Sequence, residues 1–176
     1  ERLGVEYTRL IVPLLDAGQQ LRQGLKTASG DDPRARIESG MTALSATEKS
    51  LGGELGTAPL FAALKQAQAA LPEGGKDGAS AADAFVKAAS AVLVQATDGS
   101  NLTLDPDIDS YYLMDGALFR LPDLIDQAAA LRDLAAMVAG AGAPTAAQAQ
   151  GLGALTAMAD YMDSNLAGGL TKTLAV

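Results

Sequence analysis

Apolar residues recur at every third or fourth position along almost the whole chain, and this spacing restricts the fold more than any other feature. The first series is Leu3, Tyr7, Leu10, Leu14, Ala17, Leu21, Leu25 and Ala28. Steps of three and four place side chains on one face of an α-helix, and no segment alternates strictly as a half-buried strand does. Most of the apolar residues are Ala and Leu, the two best helix formers. The sequence therefore predicts an all-α protein.

Five or six amphipathic helices follow from this spacing. The first covers about Leu3 to Ala28. The second begins at Pro33, and its apolar face is Ile37, Met41, Leu44, Leu51 and Leu55, with Glu48 in one position of that face. The segment from Pro59 either continues the second helix or is separate. The later series are Phe85, Ala89, Val92 and Ala96; Tyr111, Met114, Leu118, Leu121, Ile125, Ala128, Leu131, Ala135 and Val138; and Leu152, Leu155, Ala159, Met162, Leu166, Leu170 and Leu174. Pro122 is expected to bend its helix without shifting the phase of the apolar face. Because the loops are short, we predict an elongated up-and-down bundle forming a single domain.

Four residues are predicted to cap helix N-termini: Asp32, Ser80, Asp105 and Thr145. Asp32 and Asp105 each precede a proline, which fits the first position of a helix. Ser80 and Thr145 are each followed three residues later by a side chain that can complete a capping box, Asp83 and Gln148 respectively.

The chain is acidic, with 13 Lys plus Arg against 21 Asp plus Glu and a net charge of -8. Nucleic-acid binding takes much of its affinity from clustered cations, so this balance argues against a nucleic-acid partner. It argues equally against docking on anionic lipids. The sequence holds no apolar window long enough to span a bilayer, so we expect no membrane insertion by this segment itself.

Histidine and cysteine are both absent. Their absence removes the commonest general base, most zinc sites and every Ser-His or Cys-His catalytic arrangement. The sequence also contains no glycine-rich motif for phosphates or dinucleotides. We therefore expect neither catalysis nor a bound cofactor in this chain.

Asp105, Asp107 and Asp109 are spaced like the first three ligands of a calcium-binding loop. The loop's sixth position is Ser110, where glycine is needed, and its twelfth is Gly116, where a bidentate glutamate is needed. Capping, together with the positive N-terminal end of the following helix, accounts for all three aspartates. The sequence therefore predicts no metal site.

Tyr112, Asp115 and Arg120 form the candidate ligand-binding set. They are the polar groups closest to an apolar face in the middle of a long helix, where convergent polar groups can orient a ligand inside a bundle. The alternative is structural, with Tyr111 in the core, Tyr112 at its rim and Asp115 paired with a cation on another helix.

Two segments resemble a known family. The run Asp98–Asp115, DGSNLTLDPDIDSYYLMD, followed by Leu121–Pro122, resembles part of the all-helical periplasmic sensor domains of bacterial chemoreceptors and sensor histidine kinases. The opening Glu1–Tyr7, ERLGVEY, is similar to the start of the same domains, just beyond their first transmembrane helix. The Ala-rich stretches between these segments resemble those domains in composition only and share no specific motif with them.

The resemblance implies a helical sensor domain over residues 1–176, placed in the periplasm as the extracytoplasmic part of an inner-membrane receptor. The parent receptor is then expected to be a homodimer that responds to a small-molecule or protein stimulus. Its output would be a histidine kinase or a methyl-accepting module in the cytoplasm. The parent gene should also encode an apolar segment before Glu1 and further helix after Val176.

Composition permits a second class of function equally well. A structural protein, such as a soluble scaffold or an amphipathic coating protein, would show the same Ala- and Leu-rich helices. Flanking sequence separates the two hypotheses, because only the receptor requires a transmembrane segment before Glu1.

Overall fold

Helices make up nearly all of the computed structural model, which describes residues 2–24, 32–72, 78–104 and 106–175. Their bounds are α1 Arg2–Gln23, α2 Pro33–Leu55, α3 Ala58–Ala69, α4 Gly78–Gly99, α5 Ile108–Asp115, α6 Leu121–Ala141 and α7 Ala146–Thr173. A 3-10 turn covers Leu102–Leu104, and a π-helical turn over Gly116–Arg120 joins α5 and α6 into one continuous helix. The described residues thus form six helices and no strand, which confirms the predicted all-α bundle.

Contacts divide the chain into two compact units, unit 1 over Glu1–Asp105 and unit 2 over Pro106–Val176. In unit 1, α1 packs on both α4 and α2, and α3 packs on α4. In unit 2, α7 packs along α5, the π-helical turn and α6. The single domain expected over the whole chain stays a prediction.

The core of unit 1 follows the predicted apolar faces closely. All four predicted residues of α4 are buried: Phe85, Ala89, Val92 and Ala96. In α2 the predicted positions Ile37, Met41, Leu44 and Leu55 are buried as well. The buried face of α1 is wider than predicted because this helix contacts two neighbours, so Ile11 and Leu15 join the predicted Tyr7, Leu14 and Ala17. Burial of these side chains is the main force that holds the four helices together.

A polar cluster interrupts this core where Glu48 occupies a position of the α2 apolar face. Its Oε2 accepts a hydrogen bond from the Tyr7 hydroxyl of α1 and another, of 2.8 Å, from the Thr57 hydroxyl. Tyr7 and Thr57 are fully buried, so the carboxylate is the acceptor that satisfies two hydroxyls inside the unit. Burial, followed by the hydrogen bond to Glu48, raises the pKa of Tyr7 well above its ordinary value, so the phenol stays protonated.

The junction of α2 and α3 resolves whether these segments are one helix or two. Gly56 ends α2 with φ 70°, a left-handed conformation that glycine adopts without steric cost. Thr57 separates the two helices. The sequence predicts a similar left-handed role for Gly99 at the end of α4, but the positive φ, 57°, falls on Asn101. Gly99 serves close packing instead, since a Cβ there would lie 2.2 Å from the carbonyl oxygen of Leu55.

Two of the predicted caps are confirmed. The Asp32 side chain accepts a hydrogen bond of 3.0 Å from the Arg34 backbone N–H, with Pro33 in the first turn. Thr145 and Gln148 form a complete capping box at the start of α7, with both reciprocal hydrogen bonds present. Both side chains satisfy N–H groups that a helix N-terminus leaves without an internal partner.

The other two caps turn out differently. Ser80 lies inside α4, which already begins at Gly78, so its prediction as an N-cap is wrong. Asp83, its expected capping partner, instead binds Lys87 at 2.7 Å and Arg22 at 3.3 Å. These cations, Lys87 first, lower the pKa of Asp83. Asp105 lies outside the described residues, and the next helix begins only at Ile108, after Asp107 and not at Pro106.

Of the helix ends of α1 and α7, that of α1 differs from prediction. α1 ends at Gln23 and is followed by Gly24 with φ 63°, so the helix stops before Ala28. The predicted apolar positions Leu25 and Ala28 lie outside the described residues. α7, in contrast, continues through the Gly168–Gly169 pair to Thr173.

Unit 2 buries far less than unit 1. Its buried residues within the described range are Met114, Gly116 and Ala129. The predicted apolar positions of α7 from Leu152 to Leu166 are half-buried, as expected for a helix that contacts a partner on one side only. Ten large apolar side chains of the unit remain exposed: Ile108, Tyr111, Leu113, Leu121, Ile125, Met137, Met158, Tyr161, Leu170 and Leu174. The two-helix unit therefore leaves a large apolar surface uncovered.

The capping box gives a direct stability test in unit 2. Replacing Thr145 by alanine should lower the free energy of unfolding by about 1 kcal/mol, because the Gln148 N–H loses its acceptor. Amide hydrogen exchange in α7 of the full chain measures this. Thr156→Ala is the matched control, since Thr156 lies within the same helix and its hydroxyl bonds only the Leu152 carbonyl. Equal effects of the two substitutions would show that the box contributes nothing.

Candidate functional site

A cavity of about 340 Å³ lies within unit 2, between α5, the π-helical turn and α7. All three members of the predicted ligand-binding set line it: Tyr112, Asp115 and Arg120. Tyr111 completes the α5 side, and α7 supplies Ser164, Asn165, Gly168, Gly169 and Lys172. The volume falls at the small end of the range found for ligand cavities. That these residues bind a ligand stays a prediction, but the fold does bring them together.

The π-helical turn determines how Arg120 reaches the cavity. The Leu121 N–H bonds the Gly116 carbonyl, five residues back, where an α-helix would use the residue four back. Pro122 accounts for this widening, because it lacks an N–H and its ring clashes with the carbonyl four residues earlier in a regular helix. Turns of this kind are rare and are frequently found at functional sites.

The extra residue in this turn changes the face that α6 presents. The sequence predicts Leu121, Ile125 and Ala128 on the buried side, but all three are exposed. Their successors Pro122, Asp126 and Ala129 turn inward instead. One inserted residue rotates the following helix by about 100°. The predicted phase of the apolar face is therefore wrong from Leu121 to Ala128, whereas the predicted Leu131 and Val138 are half-buried.

Arg120 and Asp115 form the charged part of the cavity wall. Nε of Arg120 donates to Oδ2 of Asp115 at 2.6 Å, and the carboxylate side chain is 18% exposed. Asp115 raises the pKa of Arg120, so the guanidinium remains charged at every relevant pH. Among the described residues, the two terminal Nη groups of Arg120 have no hydrogen-bond partner. They are therefore available to a ligand.

Lys172 supplies a second cation from α7. Its Nζ donates to the Tyr112 hydroxyl at 2.8 Å and lies 4.7 Å from the centroid of that ring. The Tyr112 ring also lies against Gly169, where a Cβ would be 3.3 Å from the ring edge. A small residue at this position lets α7 approach the tyrosine closely, and it keeps Lys172 beside the cavity.

The two tyrosines fit the structural alternative only in part. Tyr111 is 37% exposed, while Tyr112 is half-buried against α7. Their rings meet edge to face at a centroid distance of 5.5 Å. Asp115 pairs with Arg120 of the same continuous helix, and not with a cation of another helix. The structural alternative is thus wrong for Tyr111 and Asp115, while the half-buried Tyr112 agrees with its predicted place at the rim.

The α7 half of the cavity was not predicted from the sequence. Ser164, Asn165, Gly168, Gly169 and Lys172 follow one another by one, three, one and three positions. This spacing places them on one face of a helix, opposite the charged set of α5. A search for polar residues at helical spacing on α7 would have found the face, but it would not have shown which helix it meets.

Other parts of the described chain offer weaker sites. A depression of about 620 Å³ in unit 1 is lined by Arg2, Val5, Glu6, Arg9, Leu10 and Thr47. Its charges alternate in sign along one face of α1, as is usual on a solvent-exposed helix. Within the described ranges, no group of three Asp or Glu residues could hold a metal ion. No described helix is both long enough and apolar enough to cross a membrane.

Comparison with protein-family models, with curated proteins and with solved structures finds no match for this chain.

Proposed function

We propose that the chain is the signal-input domain of a bacterial membrane receptor, either a sensor histidine kinase or a chemoreceptor. The observation that carries the proposal is the unit 2 cavity, where Tyr112, Asp115 and Arg120 converge with a polar face of α7. The resemblance of Asp98–Asp115 to periplasmic sensor domains supports it independently. In this proposal the domain lies in the periplasm, is not itself catalytic, and belongs to a homodimeric parent receptor.

The helix contacts around the cavity suit a change of packing on ligand binding. Gly116 is buried, and a Cβ there would lie 3.2 Å from the Leu166 side chain of α7. Gly169 makes the corresponding close contact with Tyr112. Small residues at helix contacts allow one helix to shift along another at little cost, and a ligand that prefers one arrangement changes the populations.

The sensing proposal is tested with the full chain and a library of small metabolites covering anionic, neutral and cationic compounds. Compounds that raise the melting temperature are taken forward to Tyr112→Ala, which should weaken binding at least about tenfold, or about 1.4 kcal/mol. Tyr161→Ala is the matched control, because Tyr161 is an exposed tyrosine outside the cavity lining. Binding that survives Tyr112→Ala contradicts the proposed site.

A sensing role also requires that ligand binding change the relative position of α6 and α7. The chain has no native cysteine, so Met137→Cys on α6 and Met158→Cys on α7 give a clean spin-label pair at two exposed positions. A bound compound should shift the distribution of distances between the two labels, which double electron–electron resonance measures. Binding without any shift contradicts a signal-input role for unit 2.

The receptor assignment is tested separately on the parent gene. It requires a transmembrane segment upstream of Glu1 and a cytoplasmic output module downstream of Val176. A parent protein with no transmembrane segment contradicts it and favours the second candidate.

A scaffold or surface-coating protein is that second candidate. The exposed apolar side chains of α6 and α7, among them Leu121, Ile125 and Met158, favour it, because such a surface is usually covered by a partner. A chain that binds no compound of the library, yet self-associates in analytical ultracentrifugation and loses this with Ile125→Asp, would establish the scaffold role.

A further inference from the structure

We infer that the unit 2 cavity selects a small organic monocarboxylate. This inference rests on the proposed ligand-sensing function and adds to it the chemical class of the ligand.

The distribution of charge in unit 2 is the first argument. The unit carries eight acidic residues: Asp107, Asp109, Asp115, Asp123, Asp126, Asp133, Asp160 and Asp163. It carries three cations, Arg120, Arg132 and Lys172. Two of these three, Arg120 and Lys172, line the same small cavity, where Asp115 is the only carboxylate among the lining residues. The lining residues thus carry a surplus of one positive charge, which can attract an anion, while Asp123 outside the lining also interacts with Arg120.

The geometry of Arg120 is the second argument. Asp115 binds Nε alone and thereby holds the guanidinium in place without using its terminal nitrogens. The two Nη groups present parallel N–H donors that match the two oxygens of a carboxylate. Asp115 is in this arrangement a positioning residue for Arg120, and not the group that contacts the ligand.

Size and lining narrow the class further. A cavity of about 340 Å³ accepts only a small molecule. One surplus positive charge matches a monoanion better than a dianion such as phosphate, since an unbalanced charge in a partly desolvated site is costly. The rings of Tyr111 and Tyr112 give an aromatic wall for the apolar part of the ligand.

Four probes that share one phenyl ring test the charge preference with the full chain: benzoate, benzamide, benzylamine and, as a larger dianion, phenyl phosphate. Isothermal titration should show benzoate binding at least about tenfold more tightly than benzamide, which lacks the charge. Tighter binding of benzylamine would assign the site to a cation held by Asp115. Tighter binding of phenyl phosphate, or of inorganic phosphate in competition, would assign it to phosphoryl groups. Either result overturns the inference, as does the absence of any benzoate binding at millimolar concentration.

Substitutions test whether benzoate binding depends on the two cationic side chains of the cavity, Arg120 and Lys172. Arg120→Gln should weaken benzoate about ten- to hundredfold, the range expected for a hydrogen bond between charged groups. Lys172→Gln should weaken it several-fold, and this exposed residue forms no ion pair with any residue that the structure describes, so its loss should not unfold the unit. Arg132→Gln is the matched control, because Arg132 is the one cation of unit 2 outside the cavity lining. Equal affinity in the wild type and in both Arg120→Gln and Lys172→Gln overturns the inference.

A failure of the carboxylate inference is distinguishable from a failure of the sensing proposal. If benzamide or benzylamine binds more tightly than benzoate, depends on Tyr112 and shifts the α6–α7 label distance, the carboxylate class is refuted and sensing is left intact. Benzoate binding that depends on Arg120 but leaves the label distance unchanged supports the carboxylate class and refutes sensing.

Discussion

Replacing Phe85 by alanine should lower the free energy of unfolding of unit 1 by about 3–5 kcal/mol. The ring is fully buried in α4, and it reaches across to α1, where a Cβ on Gly18 would lie 2.9 Å from it. Its removal takes apolar surface out of the core and leaves a cavity that the fixed helix backbones close only in part. Amide hydrogen exchange in α1 and α4 of the full chain measures the loss.

Val94→Ala is the control for Phe85→Ala. Val94 belongs to the same helix, but its side chain is 45% exposed, so its truncation should change the free energy by no more than about 0.5 kcal/mol. A loss below about 1 kcal/mol for Phe85→Ala would contradict the close packing of α4 on α1 described above.

Replacing Glu48 by alanine should cost about 1–3 kcal/mol for each hydroxyl that it leaves without an acceptor. The Tyr7 and Thr57 hydroxyls both donate to Glu48 and are both inaccessible to solvent. Glu48→Gln should be much milder, because an amide oxygen can still accept hydrogen bonds. Urea unfolding, monitored by amide hydrogen exchange in α1, measures the change in the free energy of unfolding for each variant.

Two further variants isolate the contribution of the Glu48 cluster. Glu54→Ala removes an exposed glutamate from the same helix and should change the stability little. In the Tyr7→Phe background, the cost of Glu48→Ala should fall, because one of the two stranded hydroxyls is no longer present. Identical costs in both backgrounds would show that the hydrogen bond from Tyr7 contributes nothing.

Unit 1 could be predicted largely from spacing. Val92 and Leu44 are buried where three-four steps place them, because a helix between two neighbours hides a broad face whatever its exact partners. Glu48 also occupies the predicted apolar face, but the sequence does not reveal that Tyr7 and Thr57 satisfy it. That pairing joins residues 41 and 9 positions apart from Glu48, and it depends on how the helices meet in space.

In unit 2, the spacing of apolar residues fails to predict the buried face after one feature, the π-helical turn. Met114 and Leu118 lie inward as predicted, although Tyr111 is exposed, and between Leu121 and Ala129 the inward face is displaced by one residue. A search based on a regular period of 3.6 residues cannot anticipate a π-helical turn, since the proline signals a disturbance but not its form. The same limitation applies to Ser80, where the residue type suits a cap but the helix begins earlier.

The candidate site was half predictable for a related reason. Tyr112, Asp115 and Arg120 belong to one helix, so their proximity follows from local geometry. Lys172 is 60 positions from Tyr112 in sequence and meets it only through the packing of α7 on α5. The ion pair of Asp115 and Arg120 was likewise not foreseen, because it spans five residues, a separation that the widened turn brings into reach.

The π-helical turn has a consequence for comparing this chain with others. A one-residue deletion between Gly116 and Arg120 would leave an ordinary α-helix of nearly the same length, so the change would not appear as a shortened loop. It would instead rotate α6 by about 100° relative to α5. A single-residue gap in this stretch of an alignment therefore marks a change in the surface that α6 presents to α7. Downstream of such a gap, residues that share an alignment column lie on different faces of α6, so residues should be compared by the helix face on which they lie.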